Sequence, residues 1–67
     1  MRRTWWHMAF ERDGDGRDVF VHGGRARKAM HRAAARVGPG WRLVWGPVRM
    51  PRMDIDIGRP IVVDPGA

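Results

Sequence analysis

A chain of 67 residues has material for one modest hydrophobic core, and with no cysteine it has neither disulfides nor thiolate metal sites to reinforce that core, which leaves a partner or a second copy to do so. No apolar run approaches the roughly 18 residues needed to cross a bilayer, and the start MRRTWWHMAF lacks the apolar stretch of a signal peptide, so a cytoplasmic protein without membrane association is expected. The net charge of +6 favours anionic partners, but 12 of the 13 cations are Arg and the other is Lys28, a ratio that a GC-rich genome also produces, so only the placement of the arginines is informative.

Residues 4 to 11 (TWWHMAFE) and 17 to 22 (RDVFVH) flank Asp13-Gly14-Asp15-Gly16, and Asp-Gly supplies the positive φ angles of a tight hairpin turn. A β-hairpin follows. With Gly14 and Asp15 at its centre, Phe10 lies opposite Val19, Met8 opposite Val21 and His7 opposite His22. Alternation sends Trp6, Met8, Phe10, Val19 and Val21 to one face, the core. Trp5, His7, Ala9, Glu11, Asp18, Phe20 and His22 go to the other, which mixes aromatic and ionisable groups as a binding face would.

Gly23-Gly24 ends the hairpin, and residues 25 to 37 (RARKAMHRAAARV), rich in Ala and Arg, predict a helix stopped by Gly38-Pro39-Gly40. Its start is poorly signalled, because Gly24 is a weak substitute for a Ser or Asp cap. At 100° per residue, Ala26, Ala29, Met30, Ala33 and Val37 form an apolar stripe that can lie close on Trp6, Met8 and Phe10. Arg25, Arg27, Lys28, His31, Arg32 and Arg36 occupy the opposite half.

Residues 41 to 45 (WRLVW) predict a strand with Trp41, Leu43 and Trp45 on one side and Arg42 and Val44 on the other, interrupted at Gly46-Pro47. Residues 53 to 57 (MDIDI) alternate as an edge strand would, and 61 to 63 (IVV) are kept at an edge by Pro60 and Pro65. The fold class is therefore α+β, in the order ββαβ(ββ): a small antiparallel sheet with one helix on a face. Residues 1–63 form a single domain and 64–67 a mobile tail.

The chain lacks Ser, Cys, Tyr, Asn and Gln, and Thr4 carries its one side-chain hydroxyl, which removes most nucleophiles and the amides that usually read adenine. No enzyme, cofactor or metal site is expected. His7 and His22 could share an ion only if Glu11 and Asp18, farther toward the turn, completed the set, and the alanine-rich helix is too weakly apolar to anchor on lipid. Two binding surfaces remain. Trp5, His7, Phe20, His22, Trp41 and Trp45 are candidate anchors for a protein partner, since four tryptophans exceed what one small core needs. Arg25, Arg27, Lys28, His31, Arg32 and Arg36 suit an acidic protein or a DNA or RNA backbone, because residues 23 to 53 contain no acid. The expectation is a small basic non-enzymatic binding protein, such as a bacterial or phage accessory factor that acts as an inhibitor, modulator or assembly component. The alternative is a sequence-nonspecific nucleic-acid binder that uses the basic helix face.

Overall fold

The structure, a computed structural model, describes residues 4–51 and 60–63. Among them are β1 (Trp5–Arg12), β2 (Asp15–His22), α1 (Ala26–Val37), β3 (Arg42–Met50) and β4 (Ile61–Val63), an α+β fold in the expected order. The strands form one sheet in the order β3-β1-β2-β4, antiparallel except that the short edge strand β4 runs parallel to β2. The alternating segment 53 to 57 and the tail 64 to 67 lie outside the described residues.

The hairpin turn is centred on Asp13 and Gly14, one residue earlier than Gly14-Asp15. Both central residues have positive φ, 50° and 84°. That is the requirement of a type I′ turn, whose twist matches that of the strands, and Asp followed by Gly meets it at low cost. The register is therefore displaced by two residues from the expected one. Met8 faces Val19, Phe10 faces Arg17, His7 faces Phe20 and Trp5 faces His22. A displacement of two preserves both faces, so the division of the hairpin into core and outer side stands.

Helix α1 packs its alanine stripe on the core side. Ala29 and Ala33 are fully buried with Met8, Val19 and Val21, and Trp6 and Phe10 complete the cluster. Ala26, Met30, Val37, Trp41, Leu43, Ile61 and Val63 pack around it. Full burial of each aliphatic or Phe side chain contributes about 1.5–3 kcal/mol, and two alanines at the contact let the helix approach closely enough to exclude water. The helix starts one residue later than expected, with Arg25 and not Gly24 as the N-cap, and no side chain caps it. The hairpin anchors it instead: the Trp6 indole Nε1–H donates to the Gly24 carbonyl at 3.1 Å, and the Gly23 N–H donates to the Thr4 carbonyl at 2.7 Å. At the other end Gly38, with φ 90°, donates its N–H to the Ala34 carbonyl at 3.0 Å.

Gly46-Pro47 does not interrupt β3, which runs through it to Met50. The pairing with β1 has two register shifts, one at the dipeptide and one at Val44: Phe10 faces Leu43, Ala9 faces Trp45 and His7 faces Val48. A bulge on an edge strand is where proline is tolerated, since no ladder bond depends on its missing N–H. Gly46 has φ 89°, and a Cβ there would lie 2.5 Å from the His7 carbonyl oxygen. Only glycine lets the two backbones approach so closely. A separate shift corrects the simple alternation: Leu43 faces Phe10 and Trp45 faces Ala9, so Val44 is an extra residue, and Trp45 leaves the side of Trp41 and Leu43 and joins His7 on the outer face. Among the described residues no helix is long and apolar enough to cross a membrane.

Candidate binding surfaces

On the outer face of the hairpin the pleat brings four rings into two cross-strand stacks. The Trp5 and His22 rings lie 4.3 Å apart at 8°, and those of His7 and Phe20 lie 4.4 Å apart at 11°. Trp45, delivered by the β3 bulge, meets His7 edge-on with centroids 4.8 Å apart. The His7 ring is fixed on its far side by Asp18, whose Oδ1 lies 2.9 Å from Nε2. A carboxylate only accepts, so Nε2 carries the proton, and the bond sets both tautomer and ring plane. Each aromatic pair contributes about 0.5–1.5 kcal/mol beyond burial.

These residues differ in accessibility. Phe20 is fully buried and His7 nearly so, outside the helix-side cluster. Neither offers contact surface to a partner, contrary to the simplest reading of the outer face; they support what lies beside them. His22 and Trp5 are half-buried. Trp45 is 47% exposed, and on the same edge strand Val44 and Val48 are 49% and 39% exposed. Arg42, also exposed, stands at one end of this apolar ridge and donates to Glu11 Oε1 at 3.3 Å. Val62 is a separate exposed apolar residue on the opposite edge strand. The valines escape a reading by aromatic content, and only the bulge, which breaks the period of two, turns Trp45 toward them.

Trp41 belongs elsewhere. It packs at the rim of the helix-side core beneath two cations, with the Arg12 guanidinium carbon 4.8 Å and that of Arg17 5.2 Å from its ring centroid. Arg49 stands over Trp6 in the same manner at 5.7 Å. Arg12 and Arg17 share the parity of Phe10 and Val19 along their strands, a signal visible in the hairpin alternation but obscured by their charge.

On the helix Arg25, Arg27, Lys28, His31 and Arg36 are exposed and Arg32 is half-buried, its guanidinium lying against Gly24. Gly24, Arg25, Arg27, Lys28 and His31 line a shallow, open hollow beside the helix start. The ion pairs among the described residues are His7–Asp18 and Arg42–Glu11, so the helix cations have no carboxylate partner there. No three His, Cys, Asp or Glu side chains among the described residues cluster as metal ligands would, and the corrected register sets His7 and His22 opposite different residues. No known protein family, characterised protein or solved structure matches the chain.

Proposed function

We propose that this is a non-enzymatic protein-binding module that docks through the exposed ridge of β3, with Trp45 as its anchor. The observation that carries the reading is a tryptophan held half out of the surface by a buried support. His7 presses on its ring, Asp18 and Phe20 hold His7, and Val44 and Val48 extend the apolar contact on either side. A rigid, partly exposed indole flanked by aliphatic residues is the composition of an interface hot spot, and it loses little side-chain entropy on binding because its orientation is already set. Among the described residues β3 is also an edge strand, a position that suits pairing with a partner's strand. Arg42 at the start of β3 and the net charge of +6 fit an apolar pocket with an acidic rim, toward which the charge steers the encounter. The side-chain inventory supports binding over catalysis: the sole side-chain hydroxyl is Thr4 and there is no thiol, so the His7–Asp18 pair has little to activate.

A second reading rests on the helix. Five exposed cationic or titratable residues without a carboxylate partner among the described residues form a surface suited to a DNA or RNA backbone, bound with little sequence preference.

Affinity capture from the source cells, with and without nuclease, separates the two. The wild-type protein is expected to retain a nuclease-resistant protein, and Trp45→Ala to weaken that complex about tenfold or more while staying folded. Recovery of nucleic acid alone, or a partner held equally by Trp45→Ala, overturns the first reading, and the former outcome favours the second.

A further inference from the structure

We propose that Arg12, Arg17 and Trp41 form a phosphate-binding site at the turn end of the hairpin, separate from both the β3 ridge and the helix face. Two guanidinium groups stand over one indole, at 4.8 and 5.2 Å from its centroid. Like charges gathered on a single ring repel each other, and a shared anion relieves that repulsion. Neither arginine has a carboxylate partner among the described residues. Arg17 Nη1 donates to the Gly16 carbonyl at 2.8 Å, and Arg12 donates to no protein acceptor there. Asp15 lies directly across the ladder from Arg12, yet no ion pair forms within 4.0 Å. Most of the planar, five-donor edge of each guanidinium is therefore unclaimed by protein.

Both head groups lie over the Trp41 ring, and the Arg12 stem passes Gly40 in the loop after the helix, where an added Cβ (φ 88°) would meet Arg12 Cδ at 3.3 Å. An arginine stacked on an aromatic face keeps its in-plane N–H groups free, and it loses less rotamer entropy on binding than a free one. Two such groups on one indole each offer the paired N–H donors that phosphate oxygens accept. Both exposed guanidiniums lie over the same ring, within reach of a diphosphate or of adjoining phosphates in a nucleic-acid strand.

The test is an NMR titration of the full chain, following the Trp41 indole N–H and the Arg12 and Arg17 Nε–H signals. The probes are inorganic pyrophosphate and, separately, a short oligothymidylate, with chloride added to hold ionic strength constant. These signals are expected to move. Arg12→Gln and Arg17→Gln should each weaken binding about tenfold, and Arg12→Lys should fail to restore it, because lysine keeps the charge but neither stacks nor chelates. A response to pyrophosphate alone places the ligand among small phosphate compounds, and a response to both probes places it in a nucleic-acid backbone. Arg27→Gln with Lys28→Gln should leave the pyrophosphate response unchanged, so failure of the helix reading and failure of this site are distinguishable. Unmoved cluster signals, or wild-type affinity in Arg12→Lys, overturn the proposal. Unchanged hairpin amide shifts in the variants show that the fold persists.

Discussion

The two faces of the sheet bury comparable side chains by different means. Toward the helix, Met8, Phe10, Val19 and Val21 meet Ala29 and Ala33, and apolar packing alone closes the space. Away from it, Phe20 is equally buried, but its neighbour is a histidine tied to an aspartate, and that histidine in turn supports a half-exposed tryptophan. The first face can tolerate exchange of one apolar residue for another of like volume. The second couples packing to one hydrogen bond and to the position of Trp45, so its order carries over to a surface.

The sharpest way to break this comparison is to remove the same ring from each face. Phe10→Ala and Phe20→Ala are each expected to cost about 3–5 kcal/mol, enough to unfold most of a small domain. Urea unfolding of both variants provides the measurement. A cost below about 1 kcal/mol for Phe20→Ala would show that the outer face is not a second core but a surface around a loosely held ring.

Gly46→Ala comes next. Positive φ disfavours alanine, and the new methyl would lie 2.5 Å from the His7 carbonyl oxygen and 3.2 Å from Met8 Cα, both backbone atoms that cannot step aside. Strain and overpacking together are expected to cost about 2–4 kcal/mol. The damage should fall on the β3 side of the sheet, seen as lost amide protection in Arg42–Met50 with the β1–β2 hairpin retained. A variant as stable as wild type would show that β3 does not need the close approach at Gly46 to pair with β1.

How far each face was legible in the sequence follows from the same contrast. The helix-side core rests on two periods, 2 along the hairpin and 3.6 along the helix, and both survive a displacement of the turn by two residues. Its members could therefore be named although the predicted register was not the one observed. The outer surface depends on departures from period. A bulge at Val44 moves Trp45 to the other side of β3, and nothing in an alternating pattern signals it or the close approach of Gly46 to the His7 carbonyl. Phe20 and His7 appeared as contact residues because alternation reports which face a residue is on, but not what covers that face. Arg12 and Arg17 share the core alternation, but alternation does not signal that a charged side chain on that side packs on Trp41. The direction of β4 depends on pairing with β2, far away in the chain, and three apolar residues carry no sign of it.

The smallest effect tests the coupling itself. Asp18 is partly exposed, so its hydrogen bond to His7 is screened, and Asp18→Ala is expected to cost only about 0.5–1.5 kcal/mol in urea unfolding. The more telling readout is the His7 ring. With Asp18 present, nitrogen NMR should find the proton of the neutral ring on Nε2. Without it, that nitrogen loses its acceptor, the two tautomers become closer in energy, and Nδ1–H should gain population. Because Trp45 meets His7 edge-on, a ring freed to reorient should also shift the Trp45 indole resonance while leaving that of Trp6, bonded to Gly24 across the sheet, in place. An unchanged tautomer and an unmoved Trp45 signal would mean that packing against Phe20 alone orients His7. The hydrogen bond would then add nothing to the placement of the anchor, and the two faces would differ in composition but not in principle.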